Sequence, residues 1–253
     1  MYPLLPWKLI STALGAAIAL AVYADDLAKM MGYTLPESMV VRYLPLAILS
    51  FVGVFFGPTG YWAPWRLLWR IVPPLNSWAF PDLNGVWVGI TKSNWPVIEK
   101  AFDAATSHRS VTEADLHGVP LKEDAIAVSI KCSLFALKIK VATSATDGES
   151  HSVAARPSRD PLTGCLHLIN VYRQAVPDPA RTDEPVHLGA ADLKVDPEEP
   201  EQIRGEYWTR RVWRTGKNTA GKIELRRLSA KQSKGKALRQ FAAEEKERIK
   251  LGS

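Results

Sequence analysis

The N-terminal part of the chain is dominated by two long runs of apolar positions. Leu9–Ala24 has 16 residues without a charge, and Tyr43–Trp65 has 23. A helix rises ~1.5 Å per residue and the hydrocarbon core of a bilayer is ~30 Å thick, so each run is long enough to approach or complete a crossing. We therefore predict two transmembrane helices, about residues 8–25 and 40–58, in a domain of residues 1–72 that ends in an interfacial segment.

Charges near the predicted spans indicate an orientation. Lys8 lies at the start of the first span and Arg66 and Arg70 follow the second, whereas the loop between the two spans is mainly acidic. Because positive charge is retained on the cytoplasmic side, we expect a multi-pass protein with both termini in the cytoplasm. The alternative for the first run is a secretory signal peptide, although no small-residue cleavage site is clear before Asp25.

A different pattern follows the prolines Pro73, Pro74 and Pro81, which end the helical register. Short runs of β-branched and aromatic residues alternate with turn signals, and they predict a small antiparallel barrel or sandwich over residues 73–228. A helix is also predicted near Pro96–Thr106. The predicted strands lie within Gly85–Thr91, Ala125–Thr143, Ser150–Ala154, Cys165–Gln174, Val186–Val195, Ile203–Thr215 and Gly221–Leu228.

Charge is distributed unevenly along the chain, which has a net charge of +6 at pH 7. Residues 81–202 carry 12 basic and 18 acidic side chains, whereas residues 203–253 carry 15 basic and five acidic ones. The end of the chain, residues 229–253, is a basic tail rich in helix formers. Two interpretations stay open, a helix that contacts anionic lipid or a partner, and a solvated tail. DNA binding is not expected, because no DNA-reading motif accompanies the basic residues.

The late strands suggest a pocket. With a period of two, the alternate positions from Ile203 through Gly205, Tyr207 and Thr209 to Arg211 share one face. This face begins apolar and ends polar, and an inward arginine is costly unless a polar or anionic group meets it. The alternative is that Arg211 lies at the rim of the barrel and is solvated.

No catalytic or metal-binding motif accompanies this face. The five histidines and two cysteines are not spaced as zinc ligands, and neither a P-loop nor a Gly-x-Ser-x-Gly motif occurs. The low cysteine count also excludes a disulfide-dense scaffold. We therefore expect that the chain is not an enzyme and that it uses no cofactor or metal ion.

Two segments carry a resemblance to a known family. Pro81–Pro96, PDLNGVWVGITKSNWP, contains the pattern Asn-Gly-x-Trp-x-Gly, and Ile203–Leu228 contains Gly-x-Tyr-x-Thr-x-Arg followed by Gly-x-Ile-x-Leu-x-Arg. Behind two N-terminal spans, these segments resemble the two-transmembrane, β-strand-rich effectors of bacterial CBASS antiphage systems, which are CD-NTase-associated membrane effectors. The resemblance implies a membrane-anchored all-β fold, in which two N-terminal transmembrane helices are followed by a small antiparallel β-barrel.

The resemblance also implies a receptor in the bacterial inner membrane. A cognate nucleotidyltransferase would make a cyclic dinucleotide, which the β-barrel would bind. The protein would then form a homo-oligomer among the membrane lipids and disrupt the membrane, which causes abortive infection. The alternative is a membrane-tethered binding or scaffold module for another ligand, either lipid-like or small and anionic.

The chemistry of a cyclic dinucleotide selects the candidate ligand-binding residues. Arginine binds phosphate through charge-assisted hydrogen bonds, and aromatic rings stack on bases. The rings expected to stack on bases are Trp87 and Tyr207. The side chains expected to contact phosphates or base edges are Thr209, Arg211 and Arg227. The residues expected to line the mouth of the pocket are Ser93, Asn94 and Trp95. For Trp87 and Trp95 the alternative is a place in the core.

Overall fold

A computed structural model describes residues 1–5, 8, 11–12, 15–16, 19, 23, 26, 29–32, 37–60, 62–179 and 183–252 of the chain. The chain divides into two compact units. The first contains Met1–Asp82 and Cys132–Ala136, and the second contains Leu83–Lys131 and Leu137–Ser253.

The described part of the first unit is helical. A 3₁₀ helix spans Tyr2–Leu4, and α1 (Glu37–Phe56), α2 (Pro64–Ile71) and α3 (Leu75–Trp78) follow. Proline suits the first position of α2, because the first turn of a helix needs no backbone N–H donor.

Aromatic side chains form the core of this unit. The centroid of the Trp65 ring lies 5.2 Å from those of Trp69 and Phe80. The Nε1 atoms of Trp65 and Trp69 donate to backbone carbonyl oxygens at 3.0 and 2.7 Å. These two tryptophans of the predicted interfacial segment are therefore buried with their polar groups satisfied, whereas Trp62 and Trp78 are exposed.

The prediction of two transmembrane helices is wrong for the part of the chain that the structure describes, in which no helix is sufficiently long and apolar to cross a bilayer. The predicted span at residues 40–58 falls on α1, whose charge-free part runs only from Tyr43 to Phe56. At ~1.5 Å per residue this part is ~21 Å long, which is short of a ~30 Å hydrocarbon core. The predicted span at residues 8–25 lies largely outside the described residues.

The described residues of the second unit form a closed barrel of eight antiparallel strands in chain order. Because β1 pairs with both β2 and β8, the sheet closes on itself. The β-barrel in the predicted fold is therefore confirmed. The strands are β1 (Gly85–Ser93), β2 (Lys122–Cys132), β3 (Leu137–Thr143), β4 (Glu149–Arg159), β5 (Leu166–Ala175), β6 (Val186–Val195), β7 (Gln202–Thr209) and β8 (Ala220–Arg227).

The run Ala125–Thr143, which its sequence pattern leaves open as one bent strand or two, forms the separate strands β2 and β3. They are divided where Ser133 Oγ accepts hydrogen bonds from two backbone N–H groups in the turn that follows it. Another predicted strand ends earlier than its pattern suggests. β7 ends at Thr209 instead of continuing to Thr215. Val212 has a positive φ of 43° and begins a 3₁₀ helix over Trp213–Thr215, which breaks the extended backbone.

Two helices connect β1 to β2, namely α4 (Trp95–Thr106) and α5 (Glu113–His117). The first of them confirms the helix predicted near Pro96–Thr106. Asn94, which precedes α4, donates its N–H to Ala220 O at 3.0 Å, and its Oδ1 accepts from Ala220 N–H at 3.0 Å. The start of α4 is therefore fixed to the start of β8, at one end of the barrel.

The basic tail folds as α6 (Leu238–Lys250) on the outside of the barrel. Phe241 and Ala242 are buried against Val88 of β1 and Ala127 of β2. The tail is therefore not a solvated segment but a helix packed on the barrel of its own chain, because its apolar side chains meet an apolar patch between two strands. Contact of this helix with lipid or a partner stays a prediction.

A buried carboxylate strengthens this contact. The Glu245 side chain is 4% exposed and accepts hydrogen bonds from Arg226 Nη2 on the barrel at 2.7 Å and from Arg248 Nη2 at 2.8 Å. Burial alone would raise the pKa of Glu245, but the hydrogen bonds and charges of the two guanidinium groups outweigh burial and lower it. The ionised carboxylate is therefore the form that holds α6 in place.

We predict that E245Q lowers the free energy of unfolding by about 1.5–3 kcal/mol at pH 7, the range for hydrogen bonds to a charged group. The folded-state pKa of Glu245 is lowered, so its contribution is present above the ordinary pKa of a glutamate and is lost as the pH falls through the lowered value. Denaturant unfolding at several pH values measures both effects. The control is E244Q, at an exposed neighbour; an equal loss in both variants, or a difference independent of pH, would contradict the prediction.

Candidate functional site

The barrel interior is filled at one end and hollow at the other. At the filled end Trp87, Leu168 and Ile203 are completely buried, and Trp87 Nε1 donates to Leu83 O at 3.2 Å. In a barrel of this size, the inward side chains decide whether the interior is solid or holds one small ligand. Here the other end encloses a cavity of about 290 Å³.

Inward side chains become polar toward the cavity. Along β5, the apolar Leu168 is followed on the same face by Asn170, Tyr172 and Gln174. The same change from apolar to polar side chains occurs in other strands. Because neighbouring strands are antiparallel, the C-terminal ends of odd-numbered strands lie beside the N-terminal ends of even-numbered ones, so the polar side chains meet at one end of the barrel. The polar and aromatic lining consists of Thr91, Ser93, Trp95, Lys122, Asp124, Thr143, Thr146, Ser150, Asn170, Tyr172, Gln174, Asp183, His187, Tyr207, Thr209, Arg211 and Thr219.

Arg211 is held between a carboxylate and an aromatic ring. Its Nη1 lies 3.3 Å from Asp183 Oδ2, and its guanidinium carbon lies 5.0 Å from the centroid of the Trp95 ring. The side chain is 20% exposed and that of Asp183 is 7% exposed. Arg211 Nε is buried without a hydrogen-bond partner among the described residues. The guanidinium therefore lines the cavity in a fixed position and keeps an unused donor.

His187 adds a neutral ring beside this pair. Its side chain is 2% exposed, and Nδ1 lies 3.7 Å from Asp183 Oδ1. Burial lowers the pKa of His187, the nearby Asp183 raises it to a smaller extent, and the Arg211 charge lowers it further. The imidazole is therefore uncharged at pH 7, and Asp183 balances the charge of Arg211 rather than that of a histidine.

Two tyrosines present uncharged phenol groups to the cavity. Burial raises the pKa of Tyr172, and burial also raises the pKa of Tyr207 against the opposing effect of a hydrogen bond with Ser93. The Tyr172 ring lies over Gly189, its partner on β6, so closely that a Cβ at that position would overlap the ring. Glycine at this position therefore sets the place of the Tyr172 ring.

Some polar side chains of the cavity lining are hydrogen-bonded to each other, whereas the buried side-chain oxygen of Asn170 is not. Thr209 Oγ1 and Thr219 Oγ1 lie 3.0 Å apart, and Ser150 Oγ donates to Gln174 Oε1 at 3.4 Å. Asn170 is 2% exposed, and its Oδ1 is buried with no hydrogen-bond donor in reach within the described part of the chain. A buried amide oxygen without a donor is unfavourable, so this position favours a ligand that supplies one.

The mouth of the cavity carries a second ion pair. Lys122 Nζ lies 3.2 Å from Asp124 Oδ2, and the lysine side chain is 48% exposed. Ser93 Oγ accepts the N–H of Trp95 at 3.2 Å, which joins the end of β1 to the first residue of α4. Basic, acidic and aromatic groups thus surround an opening whose deeper walls are largely apolar.

The structure brings together five of the eight candidate ligand-binding residues, Ser93, Trp95, Tyr207, Thr209 and Arg211, which all line the cavity. The other three lie outside the lining. Asn94 anchors α4, while Arg227 covers the Trp87 ring at 5.4 Å and donates from Nη2 to Asn84 O at 2.6 Å. Contact of any of these residues with a ligand stays a prediction.

Sequence reasoning missed the polar side of β5 and the segment before β6. Asn170, Tyr172 and Gln174 alternate after two leucines, which is the same change from apolar to polar as in β7, and this pattern was available in the sequence. Asp183 and His187 had no such signal, because their role depends on contact with Arg211, which follows a different strand.

The arrangement suits an anionic ligand that carries aromatic rings. Arg211 and Lys122 offer donors for phosphate, the Trp95 and tyrosine rings offer stacking surfaces, and Asn170 offers an unused acceptor. No group of three or more side chains that could hold a metal ion occurs within the described residues.

Comparison with known proteins gives two similarities. The chain matches the model of a family described as "Cap15, cyclic dinucleotide receptor domain" over residues 78–227, a range that contains all eight strands of the described barrel and the cavity. It is also 28% identical over 229 residues to a protein of Escherichia albertii named "CD-NTase-associated protein 15". That match covers 89% of this chain and 97% of the other protein.

We predict that G189A destabilises the fold by about 1–3 kcal/mol, the usual cost of overpacking, because the added methyl group displaces the Tyr172 ring. Thermal unfolding measures the loss. G118A is the matched control, since a methyl group there makes only ordinary contacts and φ is −76°, so the change should stay within about 0.5 kcal/mol. Equal stability of G189A and the unmodified chain would contradict the close contact.

Proposed function

Since the chain belongs to the Cap15 cyclic dinucleotide receptor domain family, we propose that it is an effector of a CBASS antiphage system and binds a cyclic dinucleotide in the cavity of its barrel. The observation that carries the proposal is a cavity within the matched residues, in which Arg211 is held against Trp95 beside two uncharged tyrosines. We propose a receptor role, without catalysis and without a cofactor.

The phosphates and the bases of a cyclic dinucleotide both find matching groups in the cavity lining. A volume of about 290 Å³ is at the lower end of the range for small-molecule sites, ~300–1,000 Å³, so part of the ligand remains at the mouth. We place the phosphates there, near Arg211 and Lys122. The bases would contact the Trp95, Tyr172 and Tyr207 rings, which lie along the lining.

The Arg211–Asp183 pair leaves capacity for a phosphate. Asp183 engages Nη1, whereas the Nε donor has no partner among the described residues. A phosphate oxygen that accepts from the unused side of the guanidinium would therefore leave the ion pair intact. Asp183 also balances the charge of Arg211, which offsets the desolvation cost of burying the guanidinium in the absence of a ligand.

A lipid-like or small anionic ligand is the second candidate. It is favoured by the apolar inner walls, to which Ile126, Val128, Ile139 and Leu225 contribute. A lipid-like ligand would make little use of Asn170 and the two tyrosines, so the cyclic dinucleotide accounts for more of the lining.

We further propose that ligand binding leads to association of several chains and to disruption of a membrane. Support comes from α1, on which Leu49, Phe51 and Val54 are 61–72% exposed. Exposed apolar groups of this kind are typical of surfaces that contact lipid or another chain. We assign contact with membrane lipid to these side chains.

The binding proposal predicts micromolar or tighter binding of at least one cyclic dinucleotide to the full chain in titration calorimetry. R211A should weaken binding by about 10- to 100-fold, because a charge-assisted bond contributes ~1.5–3 kcal/mol. The matched control is R210A, at the neighbouring residue outside the cavity lining, which should leave the affinity unchanged.

R211A leaves Asp183 buried without its ion-pair partner, so R211K is measured beside it. It keeps the charge but loses the planar donor set, and we expect an intermediate affinity. Full binding by the double variant R211A/Y207A would remove these residues from the site. Saturable binding of lipid in place of every cyclic dinucleotide would favour the second candidate.

The membrane proposal predicts dye release from anionic liposomes when the full chain and its cyclic dinucleotide are present together. Replacing Phe51 and Val54 by aspartate should abolish release while binding measured by calorimetry persists, because the changes lie in the other unit. The control replaces Lys131, which is exposed on β2, by aspartate. Release without ligand, or undiminished release by the α1 variant, would contradict the proposal.

A further inference from the structure

We infer that the cavity distinguishes the two bases of its ligand, and that Asn170 is the residue that selects the base bound at its inner end. This inference rests on the proposed function, since it specifies how the same cavity would bind a cyclic dinucleotide. It adds that hydrogen bonds select one base of the ligand, whereas the other base is bound by stacking whatever its identity.

Asn170 is a polar group in apolar surroundings. It faces the cavity from β5, and its neighbours on the adjacent strands include Ala191 and Leu193 of β6, which also line the cavity. The residue is 98% buried, since its exposure is 2%, and the Oδ1 atom has no donor within the described part of the chain. A ligand group that donates a hydrogen bond at this level of the cavity would therefore satisfy a buried acceptor that has no donor from the described residues.

The edge of a nucleobase is suited to this amide. An asparagine side chain carries an acceptor and a donor next to each other, and it forms paired hydrogen bonds with a base edge that has a donor beside an acceptor. A phosphate has no donor for Oδ1 when it is fully ionised, and a ribose would leave the apolar walls without a matching surface. The inner end is therefore a base site.

The mouth is built differently. There the Arg211 guanidinium lies over the Trp95 ring, with the guanidinium carbon 5.0 Å from the ring centroid. Each of these two groups is flat and could stack on a base. Stacking on an aromatic ring or a guanidinium accepts any base, because every base has a flat face. Stacking at the mouth would therefore bind different bases with similar affinity.

Size requires the two bases to occupy different positions. The cavity of about 290 Å³ is small for a whole cyclic dinucleotide. Asn170 lies on one strand of a barrel formed by a single chain, so its amide meets one base at a time. The two halves of a symmetric ligand would thus bind in unlike surroundings, one selected by hydrogen bonds and one held by stacking.

The test is titration calorimetry on the full chain with cyclic dinucleotides that carry two adenines, two guanines, two uracils, and each mixed pair. We expect each mixed ligand that contains the preferred base to bind within about threefold of the ligand that has two copies of it. For N170L we expect about 10- to 100-fold weaker binding of the preferred ligands, and a loss of the differences between bases.

N170L should remain folded, because it replaces an unsatisfied amide by an apolar group of similar size, and thermal unfolding checks this. W95A should weaken all ligands by a similar factor and keep their order. The control on β5 is Q174L, whose amide already accepts from Ser150 and which should also keep the order.

Three results would overturn the inference. An unchanged order of ligands in N170L would remove Asn170 as the selecting residue. Mixed ligands that bind midway between their two symmetric parents would show that both bases are selected. Both results leave cyclic dinucleotide binding, and hence the proposed function, in place. Absence of binding by every ligand in the panel would overturn the proposed function and this inference together.

Discussion

The hydrogen-bonded closure of β1 onto β8 is the constraint on which the described barrel depends. Trp87 of β1 pairs with Arg227, and the register continues to Ser93 opposite Gly221. Once the sheet is closed, the side chain at each strand position lies either inside or outside the barrel. Moving a strand's inward side chains to the outside would require a shift in its register with the strands on both sides. The closed register thus decides which side chains fill the interior and which line the cavity.

Charge inside the barrel is controlled by pairing and by burial. Arg211 is balanced by Asp183, and Lys122 by Asp124. Burial lowers the pKa of His187, so its ring is uncharged at pH 7, and the tyrosine phenols, whose pKa burial raises, are uncharged as well. The cavity can therefore present donors to an anion without a large net charge of its own, which would oppose folding.

Local patterns predicted the barrel well and its surroundings poorly. The period of two in β7 gave the inward direction of Ile203 and Thr209, because alternation along a strand is a local property. The predicted membrane span at α1 was wrong because hydropathy counts apolar residues without showing that the helix ends at Phe56. Asp183 was not predicted as a partner of Arg211, since a contact between residues 28 positions apart depends on the whole sheet. The docking of α6 likewise depends on a patch shared by two strands.

Closure of the barrel also limits how copies of this chain can assemble. An open sheet exposes backbone N–H and C=O groups at its edge strands, which can recruit a strand from another molecule. In the described barrel β1 and β8 occupy each other's edges along their paired residues. Polymerisation by strand exchange would therefore require opening the barrel and the cavity inside it, whereas an assembly in which the copies meet through side chains would leave the cavity intact.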